Sequence, residues 1–259
     1  GFRLYLPEEW CADAERRRKA KIPESVEFQT KPALGGELVA RAAGWKVRRA
    51  PVLGDQAYGN DSKLRARLDD DAIDYVLSVG PETDVFDPDT VFAVPPRKPG
   101  SRGPAPSVAR PDREPQSIEQ LAAGLGPDAF QTVAFRDNDG QQLVSRFAFV
   151  RVIAAHPITH DRRSPREEWL IVEWPEGAEA PSDYWISNLP VSSEPEPLAR
   201  LARLRWTIEL DYKQLKGELG LDHYEGRSYL GFHHHCTLVT AAHGFLTLER
   251  QNPNRPRPA

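Results

Sequence analysis

Short apolar runs alternate with segments of helical spacing in the first third of the chain. Residues 2–6 alternate apolar and polar side chains in the manner of a strand, and apolar runs at residues 47–53 and 73–79 predict two more strands. Apolar residues at helical spacing predict a helix over residues 31–44 and a second helix that Ser62 caps. Strands that alternate with helices are typical of an α/β layer with parallel pairing.

The middle of the chain favours β-structure. It begins with residues 95–115, which contain seven prolines and five basic side chains and are therefore interpreted as an exposed basic loop. A turn is predicted at Asp139-Gly140. Strands are predicted at residues 132–135, 142–152, 168–174 and 184–188.

The last third of the chain is predicted to be helical. Apolar residues step by three or four positions from residue 198 to residue 219, which predicts one amphipathic helix that Gly220 ends. Ser228 can cap a second helix, and the Pro-rich residues 251–259 are expected to form a frayed tail.

Composition and charge exclude several protein classes. The chain has 34 Lys and Arg against 38 Asp and Glu, so its net charge of −4 does not by itself indicate a nucleic-acid partner. Cys11 and Cys236 lie far apart, which excludes a disulfide framework and a Cys-based zinc site and favours a reducing cytoplasm. Because no apolar run is long enough to span a bilayer, a soluble protein without a membrane partner is predicted. The 259 residues include no Met, so we expect a fragment that lacks an N-terminal part.

Asp55 is the first candidate functional residue. It follows an apolar run and opens a Gly-bracketed turn, at the carboxyl end of a predicted parallel strand. Open α/β sheets bind ligands at such ends, where a carboxylate can hold a divalent cation. The alternative is an Asp that only hydrogen-bonds its own turn.

Glu209 is the second candidate, on the long predicted helix. Arg205, Lys213 and Lys216 lie at positions −4, +4 and +7 from it and share its face. Two i,i+4 ion pairs, each stabilising the helix by about a few tenths of a kcal/mol, also explain this pattern without any function.

The motif around Glu209 extends beyond such ion pairs. Residues 205–209 (Arg-Trp-Thr-Ile-Glu) followed by Lys216 resemble the Arg-x3-Glu-x6-Lys part of the signature of DDE-type insertion-sequence transposases, and residues 54–59 resemble the turn that carries their second Asp. Further stretches resemble one bacterial cut-and-paste group of this family, namely residues 4–10, 219–228 and 231–235.

The resemblance implies an α/β fold and a nuclease site. The fold is a partial ribonuclease-H-like core interrupted by a β-rich insertion domain and closed by two C-terminal helices. Three carboxylates would hold two Mg²⁺ or Mn²⁺ ions for phosphoryl transfer, and Asp55 and Glu209 match the second and third of them. By the same match Arg205 and Lys216 contact DNA phosphates, and Lys213 joins them as a DNA-binding candidate.

The resemblance also implies an organisation, partners and a compartment. The partners are DNA, as terminal repeats and target, and a second copy in a synaptic homodimer, and the compartment is the bacterial cytoplasm at the nucleoid. The expected segments are residues 1–94 (first part of the core, initial strands missing), 95–115 (basic loop), 116–190 (insertion domain), 191–250 (C-terminal helices) and 251–259 (tail).

The chain departs from the family pattern at two points. Ala202 stands where the signature has Tyr. The first catalytic Asp precedes the strand that residues 2–6 resemble, so no residue of the chain matches it, and Asp13 lies too late to replace it. We therefore expect little or no cleavage by residues 1–259 alone.

Three further features have two interpretations each. The consecutive histidines 233–235 cannot all face one metal ion, because neighbouring helical side chains point about 100° apart, so packing at a helix start is favoured. The basic loop either follows a phosphate backbone or is a solvated linker. Three Trp residues of the middle part either stack on an unpaired base or, as we prefer, pack in the sheet: Trp169, Trp174 and Trp185.

Two other functions compete with the transposase. The first is a non-catalytic DNA-binding remnant, in which the β-rich insertion and the helix with Arg205 and Lys216 still bind DNA. The second is a hydrolase acting on sugars with Asp55 and Glu209 as acid and base, which leaves the neighbouring cations unexplained.

Overall fold

The chain folds into two compact units. The computed structural model describes residues 2–45, 47–97, 107–136, 142–159 and 164–251. Gly1–Ala42 and Trp206–Ala259 form the first, which we call the helical unit, and Ala43–Arg205 form the second, which we call the sheet unit. Within the described ranges, no helix combines the length and the apolar composition that crossing a membrane requires.

The elements follow the chain in this order. They are α1 (Glu8–Ala12), α2 (Ala14–Ala20), α3 (Lys31–Gly44), β1 (Val52–Gly54), α4 (Gln56–Gly59), α5 (Ser62–Asp70), β2 (Tyr75–Ser78), β3 (Asp84–Phe86), β4 (Phe92–Ala93), β5 (Arg110–Pro111), β6 (Gln116–Ser117), α6 (Ile118–Gly124), a 3₁₀ turn (Pro127–Ala129), β7 (Gln131–Arg136), β8 (Gln142–Ala154), α7 (Ala155–Thr159), β9 (Glu167–Trp174), β10 (Asp183–Ser187), α8 (Pro195–Leu204), α9 (Trp206–Gly217) and α10 (Tyr229–Gln251).

A mixed sheet organises the sheet unit. Its strand order is β1-β2-β10-β9-β8-β3-β6, and β7 pairs with β8. β1 and β2 run parallel, with Val52 opposite Tyr75, as the sequence predicts for strands joined through a helix. The other described pairs are antiparallel. The predicted α/β class is confirmed, and the mixed sheet with helices at the C-terminus is compatible with a ribonuclease-H-like core.

One face of this sheet is covered by α8. Because strand side chains alternate between faces, Val76, Ile171 and Trp185 point to the same side and pack with Leu198 and Ala202 of the helix. Beside this core, the fully buried Glu173 accepts a hydrogen bond from Arg203 of α8 at 2.5 Å. The predicted helical stripe is therefore a core contact along α8.

The structure corrects four details of the sequence analysis. Residues 2–6 form no strand; Phe2 instead lies against Phe232 of α10 at the start of the helical unit. Asp61, not Ser62, caps α5, since its carboxylate accepts from the Leu64 amide at 2.8 Å. The strand predicted over residues 47–53 is limited to β1.

The fourth correction concerns the long predicted helix over residues 198–219. It is two helices, α8 and α9, which end and begin on either side of Arg205. Residues of α8 are buried, whereas no residue of α9 is, and Ile208 and Tyr212 of the predicted stripe are 42% and 51% exposed. Spacing alone identified an amphipathic face but not the surface that would cover it. The predicted turn at Asp139-Gly140 and residues 252–259 of the predicted tail lie outside the described residues.

Ala202, which stands where the resemblance has the signature Tyr, is buried on the core side of α8. Ala202 is 3% exposed in the core under α8, so Ala202→Tyr should overpack the core and lower the free energy of unfolding by about 1–3 kcal/mol. Arg200→Tyr, at an exposed position of the same helix, is the matched control and should change it little. Denaturant titration of both variants measures the difference, and equal stability would contradict the packing described here.

Candidate active site

Asp55 occupies the junction between β1 and α4. It is exposed, and as the N-cap of α4 it accepts a hydrogen bond from the Ala57 amide at 3.0 Å. The local turn bond weighed in the sequence analysis is therefore present. The carboxylate nevertheless faces solvent at the carboxyl end of a parallel strand, where α/β sheets bind ligands.

Two glycines press the Asp55 turn against β2. A Cβ at Gly54 would lie 2.8 Å from Leu77 Cδ2, and a Cβ at Gly59 would collide with the backbone oxygen of Ser78. Beyond the turn, Asn60 Oδ1 accepts from the Gly80 amide at 2.9 Å, which ties the end of α4 to the loop after β2. The Gly bracket seen in the sequence thus serves close packing rather than flexibility.

Arg65 supports the same turn from inside the sheet unit. It is 3% exposed, and its Nη1 donates to the Gly59 carbonyl oxygen at the end of α4. Arg65 also lines a cavity of about 320 Å³, together with Tyr75, Glu168 and Arg166. The Tyr75 hydroxyl donates to Glu168 Oε1 at 2.5 Å, so a buried polar network lies behind the Asp55 turn.

A second set of bonds closes this network. Arg166 Nη1 lies 2.7 Å from Asp69 Oδ1, and Asn188 Nδ2 donates to the same oxygen at 2.8 Å. Asn188 Oδ1 in turn accepts from the Tyr75 amide at 2.8 Å. These bonds fix the ends of α5 and β2, the two elements that follow the Asp55 turn.

Burial controls protonation in this network. Desolvation raises the pKa of Glu168 above its ordinary value of 4.5, and the nearby Arg65 opposes this shift. Desolvation, with the charge of Glu168 as the next cause, raises the pKa of Tyr75 well above 10.0. The Tyr75 hydroxyl therefore stays protonated and remains a donor at neutral pH.

Glu168 should make the stability of the protein depend on pH. The folded state keeps the Glu168 proton to a higher pH than the unfolded chain does, so its contribution to the free energy of unfolding falls as pH rises above about 4.5. Glu168→Gln should remove this decline, so the variant gains stability relative to the wild type between pH 4.5 and neutrality. Glu167→Gln, at the exposed neighbouring position, is the control. Unfolding measured from pH 4 to 8 tests this, and parallel curves for Glu168→Gln and wild type would contradict it.

Glu209 lies on α9 in the helical unit. It is exposed, as are Lys213 and Lys216, and the three share one face of the helix. Lys216 Nζ lies 5.8 Å from the centroid of the Tyr212 ring. Arg205 is partly buried and is the last residue of the sheet unit.

The opposite face of α9 packs beside α10. Arg250 Nη1 donates to Gln214 Oε1 at 3.0 Å and its Nη2 lies 3.7 Å from Glu218 Oε2, while His243 Nε2 lies 3.7 Å from Asp211 Oδ1. At 100° per residue, this face lies about 180° from the face that carries Glu209. The anchored face leaves the Glu209 face directed away from α10.

The structure groups the candidate residues by unit. α9 brings Glu209, Lys213 and Lys216 together, and Asp55 and Arg205 belong to the sheet unit. In the parts of the chain that are described, no three side chains of the metal-binding types form a cluster. Mg²⁺ commonly uses one or two carboxylates and completes its shell with substrate phosphates and water, so exposed carboxylates of this kind fit its chemistry.

His233 and His235 pack at a helix start, as predicted, whereas His234 between them is exposed. Residues 233–235 lie in the first turns of α10, where the Ser228 hydroxyl caps the helix by accepting from the Gly231 amide at 3.1 Å. His233 Nδ1 lies 2.9 Å from the Tyr229 carbonyl oxygen, and His235 Nε2 lies 2.9 Å from that of Gly220.

The three Trp residues of the middle part pack in the sheet, as preferred. Trp185 is 5% exposed. Trp169 Nε1 donates to the Pro190 carbonyl at 3.0 Å, and Trp174 Nε1 donates to that of Ala178 at 2.9 Å. The guanidinium of Arg151 lies over the Trp169 ring, and that of Arg146 lies over the Trp174 ring.

Comparison with known proteins identifies the family. A family model described as DDE superfamily endonuclease matches residues 1–142, which include Asp55 and make up more than half of the chain. No curated protein matches the sequence. Glu209, Arg205, Lys213 and Lys216 lie beyond the matched residues, so their assignment rests on the motif resemblance. The predicted DDE relationship is confirmed: the chain belongs to the DDE superfamily of endonucleases, the family of the DDE-type transposases, which act on DNA.

Proposed function

We propose that this chain belongs to a transposase that cuts and joins the ends of a bacterial insertion sequence by two-metal phosphoryl transfer. The observation that carries the proposal is Asp55, an exposed carboxylate at the carboxyl end of a parallel strand, within the residues that match the endonuclease family. The packed turn and the buried network behind it give this carboxylate a defined position.

Asp55 and Glu209 are the proposed metal ligands. Both are exposed carboxylates, and oxygen donors suit Mg²⁺ and Mn²⁺. Ions bound there would supply Lewis-acid activation of a water or a DNA 3′-hydroxyl and would stabilise the leaving oxygen. The two carboxylates would hold the positive charge of these ions beside the scissile phosphate.

Three cations are the proposed phosphate contacts. Lys213 and Lys216 are exposed on the face of α9 that carries Glu209, and Arg205 directly precedes this helix. Side chains of this type position the DNA backbone without reading its sequence. Each contact that they make with double-stranded DNA should make the slope of log affinity against log salt more negative by about 0.9.

The proposed division of the chain into segments is the one that the family resemblance implies. Residues 1–94 and 191–250 are the proposed core, and the basic loop at 95–115 and the insertion at 116–190 interrupt it. In the part of this loop that is described, Arg113 lies 3.0 Å from Asp89 and 3.7 Å from Asp87, so its charge is already paired. A synaptic homodimer in the bacterial cytoplasm, associated with the nucleoid, is the proposed working state.

A cleavage assay tests the proposal. The full-length protein, incubated with a duplex carrying the element ends and with Mg²⁺ or Mn²⁺, should nick the DNA at those ends. Residues 1–259 alone, to which the resemblance assigns only two of the three carboxylates, should show little cleavage. Binding by the full-length protein that weakens steeply with salt, with no cleavage under either metal, would support the non-catalytic remnant instead.

A further inference from the structure

A second potential ligand site lies wholly within the helical unit. It is a cavity of about 680 Å³ between the segment around α1 and α2 and the residues that lead into α10, and we call it the aromatic groove. Its volume is within the range of about 300–1,000 Å³ that is typical of small-molecule sites. The aromatic residues that line it are Tyr5, Trp10, Tyr224, Tyr229 and Phe232.

The groove brings together stretches that the resemblance singled out and that the nuclease site does not use. Residues 4–10, together with lining residues at positions 16–22, supply one wall, and residues 224–232 supply the other. These stretches are more than 200 positions apart along the chain. The candidate active site gives these stretches no role, whereas the groove joins them in one surface.

The aromatic wall next to α10 is held in a fixed arrangement. The Tyr224 hydroxyl donates to the Ser228 carbonyl oxygen at 2.9 Å, and the Tyr224 ring meets Phe232 edge-on with 6.0 Å between ring centroids. A Cβ at Gly226 or at Gly231 would collide with the Tyr224 hydroxyl, so both glycines make room for it. A preformed aromatic surface binds a flat ligand with little loss of side-chain conformational entropy, because its side chains are already ordered.

The polar lining of the groove is basic. Arg16, Lys19 and Arg227 line it, and none of the lining residues is acidic. Arg227 is exposed and makes no ion pair with any residue the structure describes, whereas Arg16 and Lys19 pair with carboxylates of their own helix region at 3.2 and 2.7 Å. Flat apolar walls beside cations suit a ligand that is aromatic and anionic.

We propose that the aromatic groove binds an unstacked nucleotide of the DNA substrate, with the base against the aromatic walls and the phosphate toward Arg16, Lys19 and Arg227. This inference rests on the proposed function, which makes DNA the substrate. Aromatic side chains stack on any base, so the groove serves strand separation rather than sequence recognition. A basic Pro-rich peptide, such as one with the composition of residues 252–259, would meet a rim of its own charge sign.

The first experiment compares two single strands of equal length and charge. Fluorescence anisotropy with residues 1–259 measures the affinity for an ordinary oligonucleotide and for one whose central nucleotides lack bases. The wild type should bind the ordinary strand about tenfold more tightly, and Tyr5→Ala should bring this ratio close to one. Phe245→Ala removes an aromatic residue that is 62% exposed on α10 and does not line the groove, so it should keep the wild-type ratio.

A charge variant provides a second test that does not depend on the aromatic core. Arg227→Gln, at an exposed position, should weaken binding of both strands and reduce the salt slope by about 0.7. Arg18→Gln is the control, because Arg18 is exposed on α2 but lies outside the groove lining. It should leave the slope unchanged.

A duplex of the same length separates the failure of this inference from the failure of the proposed function. Duplex binding together with equal affinity for the two single strands would overturn the groove assignment and leave the nuclease assignment standing. Absence of binding to any of the DNAs would overturn both. Displacement of the single strand by an acidic apolar peptide whose binding is lost in Tyr5→Ala would assign the groove to a protein partner. It would overturn the proposal that the groove binds a nucleotide.

Discussion

Asp55→Asn is expected to abolish metal-dependent nicking by the full-length protein. The loss should exceed about 100-fold, because even removal of an outer-shell partner of a metal ligand typically costs about 10–100-fold. Asn still caps α4 through the Ala57 amide and is as good an N-cap as Asp, so the fold and duplex binding should be retained. Initial rates of nicking in Mg²⁺ and thermal unfolding of the same samples measure the two effects.

Asp61→Asn is the matched control for this variant. Asp61 caps α5 as Asp55 caps α4, and the substitution removes the same charge from the next helix start along the chain. It should leave nicking within about twofold of the wild type, since a cap exchange of this kind is nearly neutral. Wild-type nicking by Asp55→Asn, or equal losses in both variants, would remove Asp55 from the mechanism.

Glu209→Gln is expected to have an effect of the same size. Glu209 is exposed on α9 and α9 has no buried residue, so the neutral isostere should leave the helical unit folded while it removes the charge proposed to hold the metal. We expect a loss of nicking by more than about 100-fold with duplex affinity unchanged or slightly raised, because a negative charge near phosphate is lost.

Glu218→Gln controls for the loss of a carboxylate at the end of α9. Glu218 is also exposed, and it faces Arg250 of α10 rather than the side of α9 that carries Glu209. A surface ion pair of this kind contributes about 0–1 kcal/mol to stability, so its removal should not affect nicking. If Glu209→Gln nicks DNA as fast as Glu218→Gln, then the ion-pair interpretation of the Glu209 motif is sufficient.

Local composition predicted the longer strands. The strands β8 and β9 appear where runs rich in apolar, β-branched and aromatic residues place them, and the parallel pairing of β1 and β2 follows from the helices between them. Residues 2–6 alternate apolar and polar side chains but form no strand, because alternation records only that one side is buried. Here Phe2 packs on α10 rather than in a sheet.

The candidate site was predictable only in part. Asp55 stands out because it ends an apolar run within a Gly-bracketed turn, and the structure places it at the end of β1. Arg65, Tyr75 and Glu168 gave no signal, since the bond between Tyr75 and Glu168 joins residues 93 positions apart. Buried polar networks of this kind arise from tertiary packing, which no local period encodes.

The central claim is that Asp55 and Glu209 are metal ligands, and a change of ligand atom tests it most directly. The measurement is the nicking rate of the full-length Asp55→Cys and Glu209→Cys variants in Mn²⁺ divided by the rate in Mg²⁺. Mn²⁺ accepts sulfur ligands more readily than Mg²⁺ does, so both ratios should exceed the wild-type ratio by about tenfold or more. A ratio equal to that of the wild type in either variant would contradict metal ligation by that residue.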